Sequence, residues 1–274
     1  MIRCKELNKS FSTKKELFNE LKANKKELIN LKKSAVKFSD PNGLQIVSKS
    51  EAVKGMQPKG EIGYGSTVYP VINTTKYLDS HTDVHLDGIW NKSAKEQTGK
   101  TYLLINHDLS VGKVIAQPKD VEIMVKKMPW KDLGKDLEGE TEALIFKSKL
   151  TEKSNKDGYL AYKDNDPVEH SIRMQYVKID LAINSNDEDF ADEKGVWDEV
   201  YPQIANKEVA DETGYFWAVS EAKIFKEGSM VLAGSNDATP TLYDIEPLKS
   251  TQTEPPKGTQ MLEKLNNLVT QSKF

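Results

Sequence analysis

Three sets of residues in this sequence have types and spacing that could do chemistry. The first is His107. It follows the apolar run Tyr102–Ile105 within TYLLINHDLSVGKVIAQP, residues 101–118, where two short β-branched and aliphatic segments flank a polar break. Such segments read as consecutive strands. A side chain at a strand end is held by a rigid scaffold, a usual place for reactive groups. The second is Ser171, at the start of the alternating stretch EHSIRMQYVKIDLAI. A serine hydroxyl is a poor nucleophile at its free pKa and becomes interesting only where a general base reaches it. The third is DSHTDVHLDGIW, residues 79–90. If it is extended, His81, Asp83 and His85 point to one face, as metal ligands do. No fourth ligand stands nearby. The bland alternatives are a turn histidine, a turn serine and an exposed loop.

The elements that must position these residues are set by a chain of 274 residues, enough for one large domain or two small ones. It is polar but globular in composition, with 37% hydrophobic and 30% charged residues and a mean hydropathy of -0.61. No apolar run approaches the ~20 residues that span a bilayer, so no membrane role is expected. The start, MIRCKELNKSF, lacks an apolar core, and the expectation is that it is not a secretory signal. Cys4 is the single cysteine, which rules out an intrachain disulfide and a multi-cysteine zinc site and fits a reducing cytoplasm.

Residues 13–37 read as one amphipathic helix. Thr13 and Glu16 fit a capping box, and Leu17, Leu21, Leu28, Leu31 and Ala35 form a narrow seam that also holds Asn24. Residues 1–40 carry eleven Lys or Arg against five Asp or Glu. This basic helical arm, residues 1–43, could pack on its own domain, form a homo-oligomer through a coiled coil, or bind an acidic partner. Interleaved aromatics and arginines are scarce, so nucleic acid is disfavoured as a partner. A turn cluster at residues 40–43 marks the expected boundary.

Residues 44–248 read as the central domain. Candidate strands are 44–47, 67–72, 102–105, 111–116, 121–125 and 143–150, which favours a mostly β sheet or barrel with added helices. Residues 54–65 read as a mobile loop without the phosphate-loop pattern. Residues 184–214 form an acidic insertion, with ten Asp or Glu against two Lys. Solvated loop is the default reading; Trp197, Val200, Tyr201 and Ile204 could line a short amphipathic helix, and a surface for the basic arm is a further option. Residues 215–238 read as a strand, a bend at 226–228, a second strand and a polar turn. Residues 249–274 read as a linker and a short amphipathic helix.

Taken together, four blocks resemble the caudovirus prohead serine proteases, the procapsid-maturation proteases of tailed phages. DSHTDVHLDGIW looks like the family's first block. LINHDLSVGKV, residues 104–114, looks like its apolar-x-H-D followed by P-I-G-x-V. HSIRMQYV, residues 170–177, looks like its L-S-I-G-F strand. Residues 223–238 look like its L-x-E-x-S-x-V-x-x-x-A-N-x-x-A block, matched at Glu227, Ser229, Val231, Asn236 and Ala238. The match covers residues 65–245 or so.

The resemblance implies an α+β fold, a mostly β barrel with flanking helices like herpesvirus assemblin, with helical extensions at both ends. It implies a serine endopeptidase that cleaves phage major capsid protein and scaffold, and itself, inside the procapsid in the host cytoplasm. No cofactor is implied. Carried over by position, Ser171 is the nucleophile and His107 the base. Glu227 is the expected third group, with Asp108, His81 and His85 as alternatives. His170 is a poor base for Ser171, because adjacent strand residues face opposite sides. Two departures stand out: the glycine of L-S-I-G-F is Arg173, and the proline of P-I-G is Ser110. Arg173 could narrow the site, supply charge beside an oxyanion, or mark an inactive relative. The runner-up reading is a non-catalytic capsid or scaffold protein on the same fold; a metal-dependent enzyme using His81 and His85 comes third.

Overall fold

The computed structural model describes residues 1–36, 58 and 60–243. The expected strand at 44–47, the turn at 40–43, the 248/249 boundary and the C-terminal linker and helix lie outside the described residues.

The chain is α+β. Its longest element is β10 (Tyr215–Val231), rich in aromatic and branched residues and buried over most of its length. It pairs antiparallel with β9 (Glu169–Ile183) from Tyr215↔Ile183 to Val231↔Glu169. On its other edge it pairs parallel with two short strands in succession. These are β4 (Asp83–His85) at Trp217–Val219 and β5 (Tyr102–Ile105) at Glu227–Met230. β6 (Val114–Ala116) extends β5. The bend read from sequence at 226–228 is a bulge within one continuous strand. The register shifts between Ile224 and Gly228, and Lys226 takes φ 67°.

A second sheet runs β11 (Thr241–Leu242), β3 (Thr67–Thr74), β8 (Glu140–Lys149) and β7 (Val121–Pro129). The two sheets meet closely at Gly228: a Cβ there would lie 2.9 Å from both Ile72 and Phe146. Glycine is required by that approach. The barrel expected from sequence is not closed. Among the described residues no ladder joins an edge of one sheet to the other, and both remain open. Residues 111–113, expected as strand, form a 3₁₀ turn, so β6 starts only at Val114.

The arm is not the single helix predicted over 13–37. After a hairpin of β1 (Ile2–Cys4) and β2 (Lys9–Phe11), it forms α1 (Lys14–Ala23) and α2 (Lys25–Ser34). The break falls at Asn24, whose side-chain amide donates to Glu20 O at 2.8 Å. Such local bonds compete with helix continuation. Cys4, Leu17, Phe18, Leu21 and Leu28 are buried in the same core as β9 and β10, so the described part of the arm is not separate from the central unit.

The acidic insertion is likewise not a solvated loop. It folds into α3 (Ala191–Val200) and α4 (Lys207–Thr213), and buries Trp197, Val200 and Ile204 against Val84, Phe216 and Ala218. It also receives the arm. Lys25 pairs with Glu193 at 2.6 Å, Lys14 donates to Asp211 O at 2.9 Å, and Phe18 meets Phe190 edge-on.

Candidate functional site

The site begins with an irregular turn. After β5, Asn106 and His107 take φ 53° and 56°, the left-handed region that non-glycine residues rarely adopt. Such strain persists where surroundings over-determine it. Here Asn106 N–H donates to Met230 O at 2.9 Å, and His107 N–H donates to Ser229 Oγ at 3.0 Å. Both acceptors belong to β10, the strand that β5 pairs with, so the turn is fastened to the sheet beside it.

The imidazole then meets a buried carboxylate. His107 Nδ1 lies 2.8 Å from Oε1 of Glu227, which is fully buried. Since a carboxylate only accepts, Nδ1 carries the proton, and Nε2 of the neutral ring is the basic nitrogen. Glu227 has two more donors. Arg173 Nε reaches Oε1 at 2.7 Å, and Ser229 Oγ donates to Oε2 at 2.7 Å. Arg173 Nη2 also donates to the His107 carbonyl. A buried carboxylate needs such compensation, because its uncompensated charge would be costly. Arg173 is therefore engaged with Glu227 and with the backbone of His107.

Ser171 sits directly opposite Ser229 in the antiparallel ladder. Directly opposed residues share a face, with Cα atoms about 4.5–5.5 Å apart. Ser171 and Arg173 of β9 thus share one face with Glu227 and Ser229 of β10, and His107 approaches that face from β5. Ser229 lies between Ser171 and His107. Among the described residues Ser171 Oγ takes no hydrogen bond, from His107 or from any other group. Catalytic hydrogen bonds in free enzymes are often long and tighten only with substrate.

The other candidates go elsewhere. His170 faces away from Ser171: its Nδ1 donates to Thr239 O at 2.9 Å, so its Nε2 accepts from Tyr162 Oη at 3.1 Å. Burial depresses its pKa to about 4, so it is a neutral strut. Asp108 is exposed, and its Oδ1 accepts from Ser110 N–H at 2.8 Å. His85 contacts Asn73 Oδ1 at 3.0 Å and Tyr176 Oη at 3.2 Å, and Asp83 accepts from Tyr176 Oη at 2.7 Å and from Lys32. Asp79 Oδ1 accepts from the backbone of His81 and Asp83. Among the described residues no group of three or more His, Cys, Asp or Glu side chains is arranged to hold a metal ion. The face shared by His81, Asp83 and His85 in an extended strand is not assembled as a ligand set, because lysine and tyrosine take Asp83.

Sequence reasoning missed Ser229, read only as a motif position, and the pairing of Arg173 with Glu227. The signal was the E-x-S spacing of residues 227–229, which puts both side chains on one strand face.

Comparison with protein-family models, with curated proteins and with solved structures finds no match for this chain.

Proposed function

We propose that the protein is a serine endopeptidase, with Ser171 as nucleophile, His107 as base and Glu227 as the group that orients the imidazole. The observation that carries this reading is the His107–Glu227 hydrogen bond, on the strand face that also bears Ser171. Ser171 Oγ attacks a peptide carbonyl carbon, and its proton passes to His107 Nε2. His107 then donates that proton to the leaving amine, and water hydrolyses the Ser171 ester with His107 as base again. Glu227 fixes the Nδ1–H tautomer and stabilises the imidazolium.

The substrate is the finer part of the proposal. Phage major capsid protein and scaffold, cut within a procapsid, follow from the four sequence blocks alone, as does the relationship to herpesvirus assemblin. No helix among the described residues is long and apolar enough to cross a membrane. The test is co-expression with the cognate capsid protein, with product sizes read by mass spectrometry, alongside labelling of Ser171 by a fluorophosphonate. Trimming and labelling that vanish in Ser171→Ala support the protease. A wild-type protein that does neither, while capsids still assemble, removes it.

One observation favours the second reading, a non-catalytic capsid assembly protein on this fold. The Glu227 carboxylate is shared with Arg173 and Ser229, and Ser171 is not bonded to His107. The same assay separates the two.

A further inference from the structure

We propose that Ser229 is a positioning residue, whose buried hydroxyl holds the His107 turn and the Glu227 carboxylate in one geometry. The inference rests on the reading of His107 as the base, but part of its test does not.

Ser229 is fully buried on β10, between Ser171 on β9 and Leu104 on β5. A hydroxyl has one proton to give, and here it goes to Glu227 Oε2 at 2.7 Å. The same oxygen accepts the His107 backbone N–H at 3.0 Å. One atom thus ties the main chain of the base to the carboxylate that its side chain binds. The left-handed backbone at His107 makes that tie consequential, because the conformation must be imposed by contacts from outside the turn. The proton on Ser229 is also spoken for, which leaves Ser171 as the serine of this face with its hydroxyl unengaged.

The hydroxyl further shapes the electrostatics of His107. Among the described residues, the groups hydrogen-bonded to its ring and main chain include Glu227 and Ser229 from β10 and Arg173 from β9. Asp108 is exposed and bonded to Ser110. Donors on Glu227 draw off charge that would otherwise stabilise the imidazolium. Removing the Ser229 donor releases Oε2, so the carboxylate is no longer held against His107 Nδ1.

The experiment compares the full chain with Ser229→Ala and Ser229→Cys. Cysteine keeps the size and supplies only a weak donor. The first readout is the hydrogen-bonded Nδ1–H proton resonance of His107 by NMR, which needs no activity. We expect that resonance to move upfield or broaden in Ser229→Ala, as the His107–Glu227 bond loosens, with Ser229→Cys between alanine and wild type. The second readout is the rate of fluorophosphonate labelling at Ser171, expected to fall at least tenfold in Ser229→Ala and less in Ser229→Cys. A His107 Nδ1–H resonance that is unchanged in Ser229→Ala overturns the proposal, even if stability falls. If wild type is never labelled at Ser171, the protease reading falls, and the Nδ1–H resonance still decides the role of Ser229.

Discussion

Two regions of this molecule are built from nearly the same parts. One is the face that carries Glu227, Arg173, Ser229 and His107. The other is the junction between the arm and the sheet, where Lys32, Asp83, Glu6, Tyr176 and His85 meet. Each has a buried carboxylate, a cation, a hydroxyl and an imidazole. They differ in what touches the carboxylate. At Glu227 the imidazole bonds the carboxylate directly, and the cation comes from the neighbouring strand. At Asp83 the tyrosine hydroxyl stands between carboxylate and imidazole, and the cation is a lysine on a helix from the start of the chain. The first arrangement sets the tautomer of a ring. The second locks a helix: burial opposes charge on Lys32, but Asp83 and Glu6 outweigh it and hold its pKa above the ordinary value. The same side-chain types set the tautomer of an imidazole in one place and fasten the arm in the other.

The largest expected effect breaks the first region alone. On the proposed endopeptidase reading, Ser171→Ala should lower cleavage by about 10³-fold or more while leaving thermal unfolding nearly unchanged, since only one oxygen is lost from a small side chain. His107→Ala should do nearly as much, and the double variant should lose little more, because nucleophile and base act as a unit. Additive losses in that double-mutant cycle would dismiss the pairing.

The second region should respond in the opposite sense. Lys32→Met should cost about 3–5 kcal/mol in urea unfolding, because it leaves Asp83 and Glu6 buried without their cation. The double variant Lys32→Met with Asp83→Asn should recover part of the loss. A cost below about 1 kcal/mol would mean that the arm is not fastened there. A related contrast lies along the leucine seam. Leu21 is fully buried and Leu31 is 55% exposed. Leu21→Lys should therefore destabilise the whole unit by several kcal/mol, whereas Leu31→Lys should stay within about 0.5 kcal/mol. Measured unfolding free energies that were equal for the two would contradict the docked position of α1.

This contrast also shows what was legible in the sequence. The strand that ends at Ile105, just before His107, and the alternation from Glu169 onward were readable, because apolar runs and period-2 patterns leave their mark on residue types. The arm was not. A seam of leucines looks the same whether its partner is a second chain, a scaffold or its own sheet. Lys32 sits among Lys25, Lys26 and Lys33, and only its tertiary position distinguishes it. Arg173 and Ser229 were unreadable as a pair for a different reason. Their meeting at Glu227 depends on the register of β9 against β10 and on the bulge between Ile224 and Gly228. Local sequence does not encode a register set by two sheets packing over Gly228.

The smallest expected effect uses a third imidazole to sharpen the comparison. His170 is buried like His107, but its hydrogen bonds run to a carbonyl and a tyrosine hydroxyl rather than to a carboxylate. Burial holds its pKa near 4, against about 6.5 in the unfolded chain. Between these values the unfolded state binds more protons, so stability rises with pH there and is lost as pH falls from about 6.5 through 4. The loss between pH 8 and pH 5 should be about 2 kcal/mol. Other carboxylates also titrate in acid, so the measurement is a difference. His170→Asn keeps an amide donor for Thr239 O but cannot take up a proton. Urea unfolding of both proteins at pH 8 and pH 5 should show wild type losing about 2 kcal/mol more than the variant. Equal losses would mean that His170 is not held neutral, and the division between a neutral strut beside Ser171 and the carboxylate-bound imidazole of His107 would have no basis.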